Sequence, residues 1–312
     1  MSEPNKYRPI LFVTISSLAS SDDARLRVAL TEIAKQDPTI KIDAEAVDGR
    51  VVAAGMTQSH LEAIGDRLLH EYKLMVNVSE PNVTYLETIR KIGEAEGKYI
   101  RQTGGLGNYG HCKLRIEPNG PGKGYEFVSS IPDGVVPNQY IKSIDRGVRS
   151  SLELGILAGC PLVDLKVTVF DGSYHETDSN ELAFELAGSI ALREAAKKAS
   201  PVLLEPVMAI EVEVPKELRG TIIDEISSRR GRVESMEDVN GWHVIKALVP
   251  LSDLLASTFQ GLSEFPIEFA GYEAVPDGGW RGGTEPGVPA ILPKAPKRGL
   301  SSAAASLDSE TE

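Results

Sequence analysis

Apolar and polar positions along the first eighty residues follow two alternating periods. Residues 10–16 (ILFVTIS) are apolar and β-branched and predict a strand. Ser20 with Asp23 three positions on has the form of a capping box that uses Asp. Leu26, Ala29, Leu30 and Ile33 then fall on one face of a predicted helix. Residues 40–47 and 50–54 read as strands around Asp48-Gly49, a hairpin pair. Thr57 is placed to cap a second helix with Leu61, Ile64 and Leu68 inward, and residues 74–78 read as a closing strand. The order βαββαβ is that of a ferredoxin-like unit.

The same order returns over residues 207–273. A strand at 207–214 ends at Pro215, a helix at 221–230 ends at Gly231, and strands at 232–239 and 242–249 flank Asn240-Gly241. A short helix at 251–259 and a strand at 266–272 complete it. The block between the two copies is patterned differently. Residues 83–90, 94–102, 111–117 and 125–129 read as strands, with glycine-rich 104–110 between the second and third. Pro137 stands at the entry of a helix running to Leu157. Residues 163–170 (VDLKVTVF) alternate as a half-buried strand, and Asp171-Gly172 is turn chemistry. Ser179, Asn180 and Glu181 can cap a helix over 182–198, which Pro201 stops. From residue 276 onward Gly, Pro, Ser and Ala dominate without a period, which predicts a disordered tail.

Composition narrows the function classes. The 312 residues are 41% hydrophobic and 25% charged, as in a soluble globular protein. No apolar run approaches the roughly 20 residues that span a bilayer, and the first residues, MSEPNKYRP, lack a signal-peptide pattern, so a cytoplasmic protein without a membrane partner is expected. A net charge of -12 argues against indiscriminate polyanion binding and confines any RNA-directed face to a small area. Cys112 and Cys160 have neither metal nor disulfide spacing and are expected to be buried. The chain has no GxxxxGK[ST] loop, GxSxG, HExxH or CxxC, so no cofactor, metal site or enzymatic activity is expected.

Three stretches carry candidate chemistry. The loop with Gly104, Gly105, Gly107, Asn108, Tyr109, Gly110 and His111 joins two strands, which suits close backbone approach better than a nucleotide cradle. Its plain alternative is an ordinary hairpin. The loop after residue 170 presents Tyr174 and His175, which alone would be solvated surface residues. Arg229 and Arg230, with Gly231 and Arg232, form a basic corner; it suits phosphate contact, or simply the helix end where cations are favoured.

These stretches resemble elongation factor G. The resemblance rests on residues 102–111 (QTGGLGNYGH), 172–181 (GSYHETDSNE) with 182–184, and 203–206 (LLEP). Gly55-Met56 with residues 60–62, Glu126-Phe127 and residues 229–231 add to it. It is collinear from about Lys6 to Pro276 and covers the family's third, fourth and fifth domains. It implies an α+β chain of two ferredoxin-like domains, at 1–81 and 204–275, flanking a ribosomal protein S5 domain 2-like domain at 82–203; the compositional tail occupies 276–312. It implies ribosomal RNA as partner, and a tip, with His175 as tip histidine and 104–110 as the other loop, directed at the decoding centre. The implied contact residues are Gly104, Gly105, Gly107, Asn108, Tyr109, His111, Tyr174, His175, Arg229 and Arg230.

Departures accompany the match. The GTPase and second domains have no counterpart in this sequence, which reads either as a fragment or as a GTPase-less paralogue, so GTP hydrolysis would belong to the missing domain or to a separate GTPase. Leu106 and Asn108 stand where the family usually has Arg and Gln, which weakens contact with RNA. Thr57-Gln58-Ser59 replaces Gly-Glu-Leu, and residues 251–265 are shorter than the family's and lack its arginine. In place of the family's C-terminal helix stands the Pro/Gly tail. The competing reading is a divergent paralogue acting as a non-ribosomal protein-interaction module.

Overall fold

The structure, a computed structural model, describes residues 9–43, 50–102, 107–132, 134–239, 241–255 and 265–276. The expected Asp48-Gly49 hairpin and the expected tail beyond residue 276 lie outside them, as does the latter part of the predicted 251–259 helix.

The first unit consists of β1 (Leu11–Ser17), α1 (Asp23–Gln36), β2 (Lys41–Asp43), β3 (Val51–Gly55), α2 (Gln58–His70) and β4 (Val76–Val78). Its sheet runs β2-β3-β1-β4, the ferredoxin-like order, with antiparallel neighbours. The helical periods hold residue by residue: α1 buries Leu26, Ala29, Leu30 and Ile33, and α2 buries Leu61, Ile64 and Leu68. Thr57 caps α2 by accepting from the His60 N–H at 3.2 Å. At α1 the expected Ser20 cap does not form. A 3-10 turn, Ser20–Asp22, comes first, and the Ser17 hydroxyl bonds the Asp23 carboxylate instead.

The predicted strand at 83–90 is two strands, β5 (Asn82–Val83) and β6 (Leu86–Ile89). β5 pairs with β1 of the first sheet. β6 pairs with the opening of β11 (Pro201–Pro215), so the break falls where the chain passes from one sheet to another. Beyond β6 the middle unit comprises β7 (Gly93–Arg101), β8 (Asn108–Pro118), β9 (Glu126–Ser129), α3 (Asn138–Leu154), β10 (Leu165–Ser173) and α4 (Glu181–Lys198). The sheet order is β7-β8-β10-β9, antiparallel except for the β9/β10 pair. α3 ends three residues before Leu157 because Gly155 turns the chain at φ 62°.

α4 is alanine-rich, and its neighbours meet it with glycines. A Cβ on Gly97 of β7 would lie 2.0 Å from the Ala187 carbonyl oxygen, and one on Gly147 of α3 would lie 1.9 Å from that of Glu185. Strand and helix therefore touch α4 backbone to backbone. Cys112 and Cys160 are buried as expected, and burial pushes both thiols up to about 12.

The third unit is β11, α5 (Arg219–Ser228), β12 (Arg232–Val239), β13 (Trp242–Pro250), α6 (Leu251–Leu255) and β14 (Ile267–Ala274), in the sheet order β12-β13-β11-β14. This repeats the topology of the first unit. The C-terminal turn of α5 differs from expectation. Arg230, not Gly231, takes the left-handed position at φ 56°, and the Gly231 N–H bonds the Ile226 carbonyl at 2.8 Å. Glycine is needed at 231 for approach: a Cβ there would sit 2.7 Å from that carbonyl oxygen.

The middle unit is joined to the third by a two-strand stem, β6 against Pro201–Leu204 of β11. Glu87 of β6 is wholly buried, and its carboxylate accepts the N–H groups of Leu157 at 2.9 Å, Ala158 at 2.7 Å, Cys160 at 3.1 Å and Ile156. Met208 and Leu251 of the third unit pack into the first unit's core. No helix among the described residues is long and apolar enough to cross a membrane.

Two glycine substitutions separate packing from flexibility. Gly97→Ala is expected to lower unfolding free energy by about 2–4 kcal/mol in urea titration, since two backbones must part. Gly220→Ala, in α5 with nothing within 4 Å of the new methyl, is expected to raise it by about 0.5–1 kcal/mol.

Candidate nucleic-acid interface

β8 and β10 are antiparallel neighbours, with His111 opposite Ser173 and Cys112 opposite Gly172. This register alone brings the start of β8 beside the loop that follows β10. Side chains then join the two. The Asp178 carboxylate accepts the Gly107 N–H at 3.0 Å, and the Asp178 carbonyl accepts the Tyr109 N–H at 2.8 Å. The Ser179 hydroxyl donates to the Tyr109 carbonyl at 3.0 Å, and the Asn180 amide donates to the Asn108 side-chain oxygen at 2.7 Å. Asn180 also caps α4, accepting from the Ala183 N–H at 2.9 Å. From α3, the Tyr140 hydroxyl donates to the Ser179 carbonyl at 3.0 Å. These bonds tie the start of β8 to the loop that leads into α4.

The joined loops stand at the N-terminal end of α4. The stem lies at its other end, where the Ala199 carbonyl accepts from Arg90 at 3.1 Å and Lys91 at 2.9 Å. α4 has 18 residues, which sets the separation at about 27 Å.

The expected contact residues divide into three groups. Tyr174 is 40% exposed and the His175 side chain 59% exposed, so both face outward from the tip. The His175 backbone N–H donates to Ser179 Oγ at 2.9 Å, and its Nδ1 lies 3.0 Å from Thr177 Oγ1 and 3.4 Å from Asp178 Oδ2. Gly107, Asn108, Tyr109 and His111 form the second group, partly buried and bonded into the loop body. Gly110 serves packing, because a Cβ there would lie 2.3 Å from the Ala183 carbonyl oxygen. Gly104, Gly105 and Leu106 lie outside the described residues.

Arg229 and Arg230 form the third group and sit in the third unit, apart from the tip. The Arg229 side chain is buried, with its guanidinium 2.7 Å from Glu225. Arg230 makes a bidentate pair with Glu205 at 2.6 and 2.9 Å, and its Nε donates to Asp253 at 2.8 Å. Hydrogen bonds donated to Glu205 hold the Arg230 guanidinium above its already high range. Both carboxylate residues are buried. The protein itself thus fills the place that a phosphate was expected to take.

Cations below the tip are also paired. Lys113 lies 2.8 Å from Asp171 and Arg115 2.7 Å from Glu94. Hydrogen bonding to Lys113 holds the Asp171 carboxyl below its ordinary range. Ser173 and Asp178 were not singled out from the sequence for a site role. Their only local signal is a short polar side chain near a helix start, which Ser179 and Asn180 share. Among the described residues no group of His, Cys, Asp and Glu could hold a metal ion.

Comparison with known proteins matches three family models in chain order. The model described as Elongation Factor G, domain III, matches residues 8–80. Elongation factor G, domain IV, matches residues 81–200, and Elongation factor G C-terminus matches residues 202–278. The chain belongs to the elongation factor G family. A crystal structure of a Thermus thermophilus protein superposes with a TM-score of 0.66 at 37% sequence identity. The match covers 86% of this chain and 41% of that one, so the chain spans less than half the length of this relative. The tip loops fall within the segment matched to the family's domain IV, and the arginine pair within its C-terminus model.

Removing one partner from the Arg230 network leaves two buried carboxylates uncompensated. Arg230→Ala should therefore cost about 3–5 kcal/mol of stability in denaturant titration. Arg232→Ala breaks an exposed pair with Glu273 at 3.2 Å and should cost less than about 1 kcal/mol.

Proposed function

We propose that this chain is an elongation factor G-like, ribosome-binding translation protein whose domain IV tip is directed at the decoding centre. The observation that carries this reading is the fused pair of loops with Tyr174 and His175 facing outward at the end of α4 farthest from the stem. A rigid body that holds an imidazole and a phenol outward can stack on an unpaired base or meet the RNA backbone. The reading includes a cytoplasmic location and GTP hydrolysis by a GTPase domain or partner outside the residues matched here. Tyr174 and His175 are the direct contacts. Gly107, Asn108, Tyr109 and His111 shape the tip beside them.

A second reading, a protein-interaction module that has left the ribosome, is favoured by the arginine corner. Arg229 and Arg230 are paired internally with Glu225, Glu205 and Asp253.

Co-sedimentation with ribosomes at moderate salt distinguishes the two. The parent chain should pellet, and His175→Ala should weaken association several-fold. His70→Ala, exposed on α2, should match the parent. Because few described cations beside the tip are free, chiefly Lys98 and Arg101 on β7, log affinity should fall with log salt at a slope of only about -1 to -2. A parent chain that stays in the supernatant, or a His175 variant that pellets equally well, would favour the interaction module.

A further inference from the structure

α4 covers one face of the middle sheet, where Cys112, Leu114 and Ile116 are buried. On the opposite face, next to the tip, four polar side chains stand in a row. Tyr109 Oη is 2.8 Å from Ser173 Oγ, and Ser173 Oγ is 2.7 Å from His111 Nδ1. His111 Nε2 is 3.1 Å from Glu96 Oε1. That last contact is too oblique for a good hydrogen bond, but Nε2 is shielded from water.

The row has one consistent set of proton positions. A lone pair on the shielded Nε2 would face a carboxylate oxygen with no water between them. An N–H there faces the same oxygen favourably, so the proton of the neutral ring belongs on Nε2. Nδ1 is then an acceptor, and the Ser173 hydroxyl must donate to it. With its hydrogen so directed, Ser173 Oγ can only accept from Tyr109. One carboxylate thereby sets the direction of two hydrogen bonds.

We propose that Glu96 and Ser173 are positioning residues of the tip, which hold His111 as the Nε2–H tautomer and present the Tyr109 oxygen to RNA as an acceptor for a ribose 2′-hydroxyl. Protonation of His111 reverses the row: Nδ1–H donates to Ser173, Ser173 donates to Tyr109, and the Tyr109 O–H turns outward as a donor. A donor there suits a phosphate oxygen and no longer favours a 2′-hydroxyl. The charged groups around the ring are Glu96 and Lys98 on β7, Lys113 on β8 and Asp171 on β10, the last two paired with each other at 2.8 Å. The ligand half of this proposal rests on the RNA reading of the tip; the tautomer half does not.

Two measurements on the full chain test the halves separately. In nitrogen-15 histidine NMR at pH 8, His111 should be the Nε2–H tautomer. Glu96→Ala should shift it toward a mixture, and Ser173→Ala should leave it unchanged. An Nδ1–H ring in the parent, or a Glu96→Ala spectrum identical to it, overturns the positioning role. The second measurement is binding of a short single-stranded oligoribonucleotide and its 2′-deoxy counterpart at pH 8 and at pH 5.5. At pH 8 the ribose form should bind about fivefold tighter through Tyr109. That part of the preference should vanish in Tyr109→Phe and shrink in the parent under conditions where the nitrogen-15 signals show the His111 ring protonated. Because His175 is present in parent and variant alike, its own contribution cancels. Equal binding of both oligonucleotides at pH 8 overturns the ligand half. Absence of RNA binding at either pH overturns the RNA reading of the tip together with that half, while the His111 tautomer still decides the positioning role.

Discussion

The middle unit depends on how closely other backbones approach α4. Ala183, Ala187, Ala191 and Ala195 line one face of this helix, all fully buried, and Gly97 and Gly147 let a strand and a helix reach its carbonyl oxygens. An alanine side chain buries little area, so the helix gains less from hydrophobic transfer than a leucine-rich one would. It gains instead from dense dispersion contact along its length. Such contact has no slack, because a single added methyl meets backbone rather than a side chain that could rotate. The same helix carries the tip at one end, through the Asn180 cap and the stack of Tyr140 on Phe184 with centroids 4.5 Å apart. Its other end abuts the stem. Rigidity in α4 is therefore rigidity between tip and stem.

The stem continues this logic into the third unit. β11 runs 15 residues without interruption, pairing first with β6 and then with β13 and β14. The middle unit is inserted between two paired strands of a neighbouring sheet, not hung from a flexible linker. Glu87 fastens the insertion from inside. Burying a lone carboxylate is costly, and four backbone N–H groups from the turn after α3 offset that cost. Met208 and Leu251 extend the continuity to the first unit's core.

Periodicity made the flanking units legible down to their buried residues. The seven inward positions of α1 and α2 and both sheet orders follow from local pattern. What pattern does not carry is partnership at a distance. Residues 83–90 read as one strand, yet β5 and β6 belong to different sheets, because the partner of β5 precedes it by about seventy residues and the partner of β6 follows it by more than a hundred. Arg229 and Arg230 look like free cations at a helix end. Glu205 and Asp253, which neutralise Arg230, lie 25 and 23 positions away in sequence and meet it only after the sheet has formed. Arg230 also takes the left-handed turn position that glycine usually occupies, held there by the same ion pairs. At the tip, the outward Tyr174 and His175 could be read from the loop itself. The roles of Asp178 and Ser173 could not, since each depends on which strands become neighbours.

Electrostatics ties the tip to the rest of the molecule. The chain carries a net charge of -12; on the outer face of the middle sheet Lys113 and Arg115 are matched by Asp171 and Glu94, which leaves Lys98 and Arg101 of β7, opposite His111 and Asn108, as the exposed cations beside the tip. A surface of this kind draws little free energy from releasing counterions of a nucleic acid. Recognition there must come from geometry: a ring to stack, a hydroxyl of fixed polarity, and loops that do not rearrange on contact. The bonds of Asp178, Ser179 and Asn180 supply the last of these before any partner arrives. On the proposed reading, an acidic protein with a neutral, preorganised tip discriminates by shape and hydrogen-bond direction, which salt screens weakly. Long-range attraction would then have to come from elsewhere on the partner or from a second binding surface. Most of the third unit's described arginines are unsuited to that task in this arrangement, because Arg229, Arg230 and Arg232 are each already paired with a carboxylate of the chain.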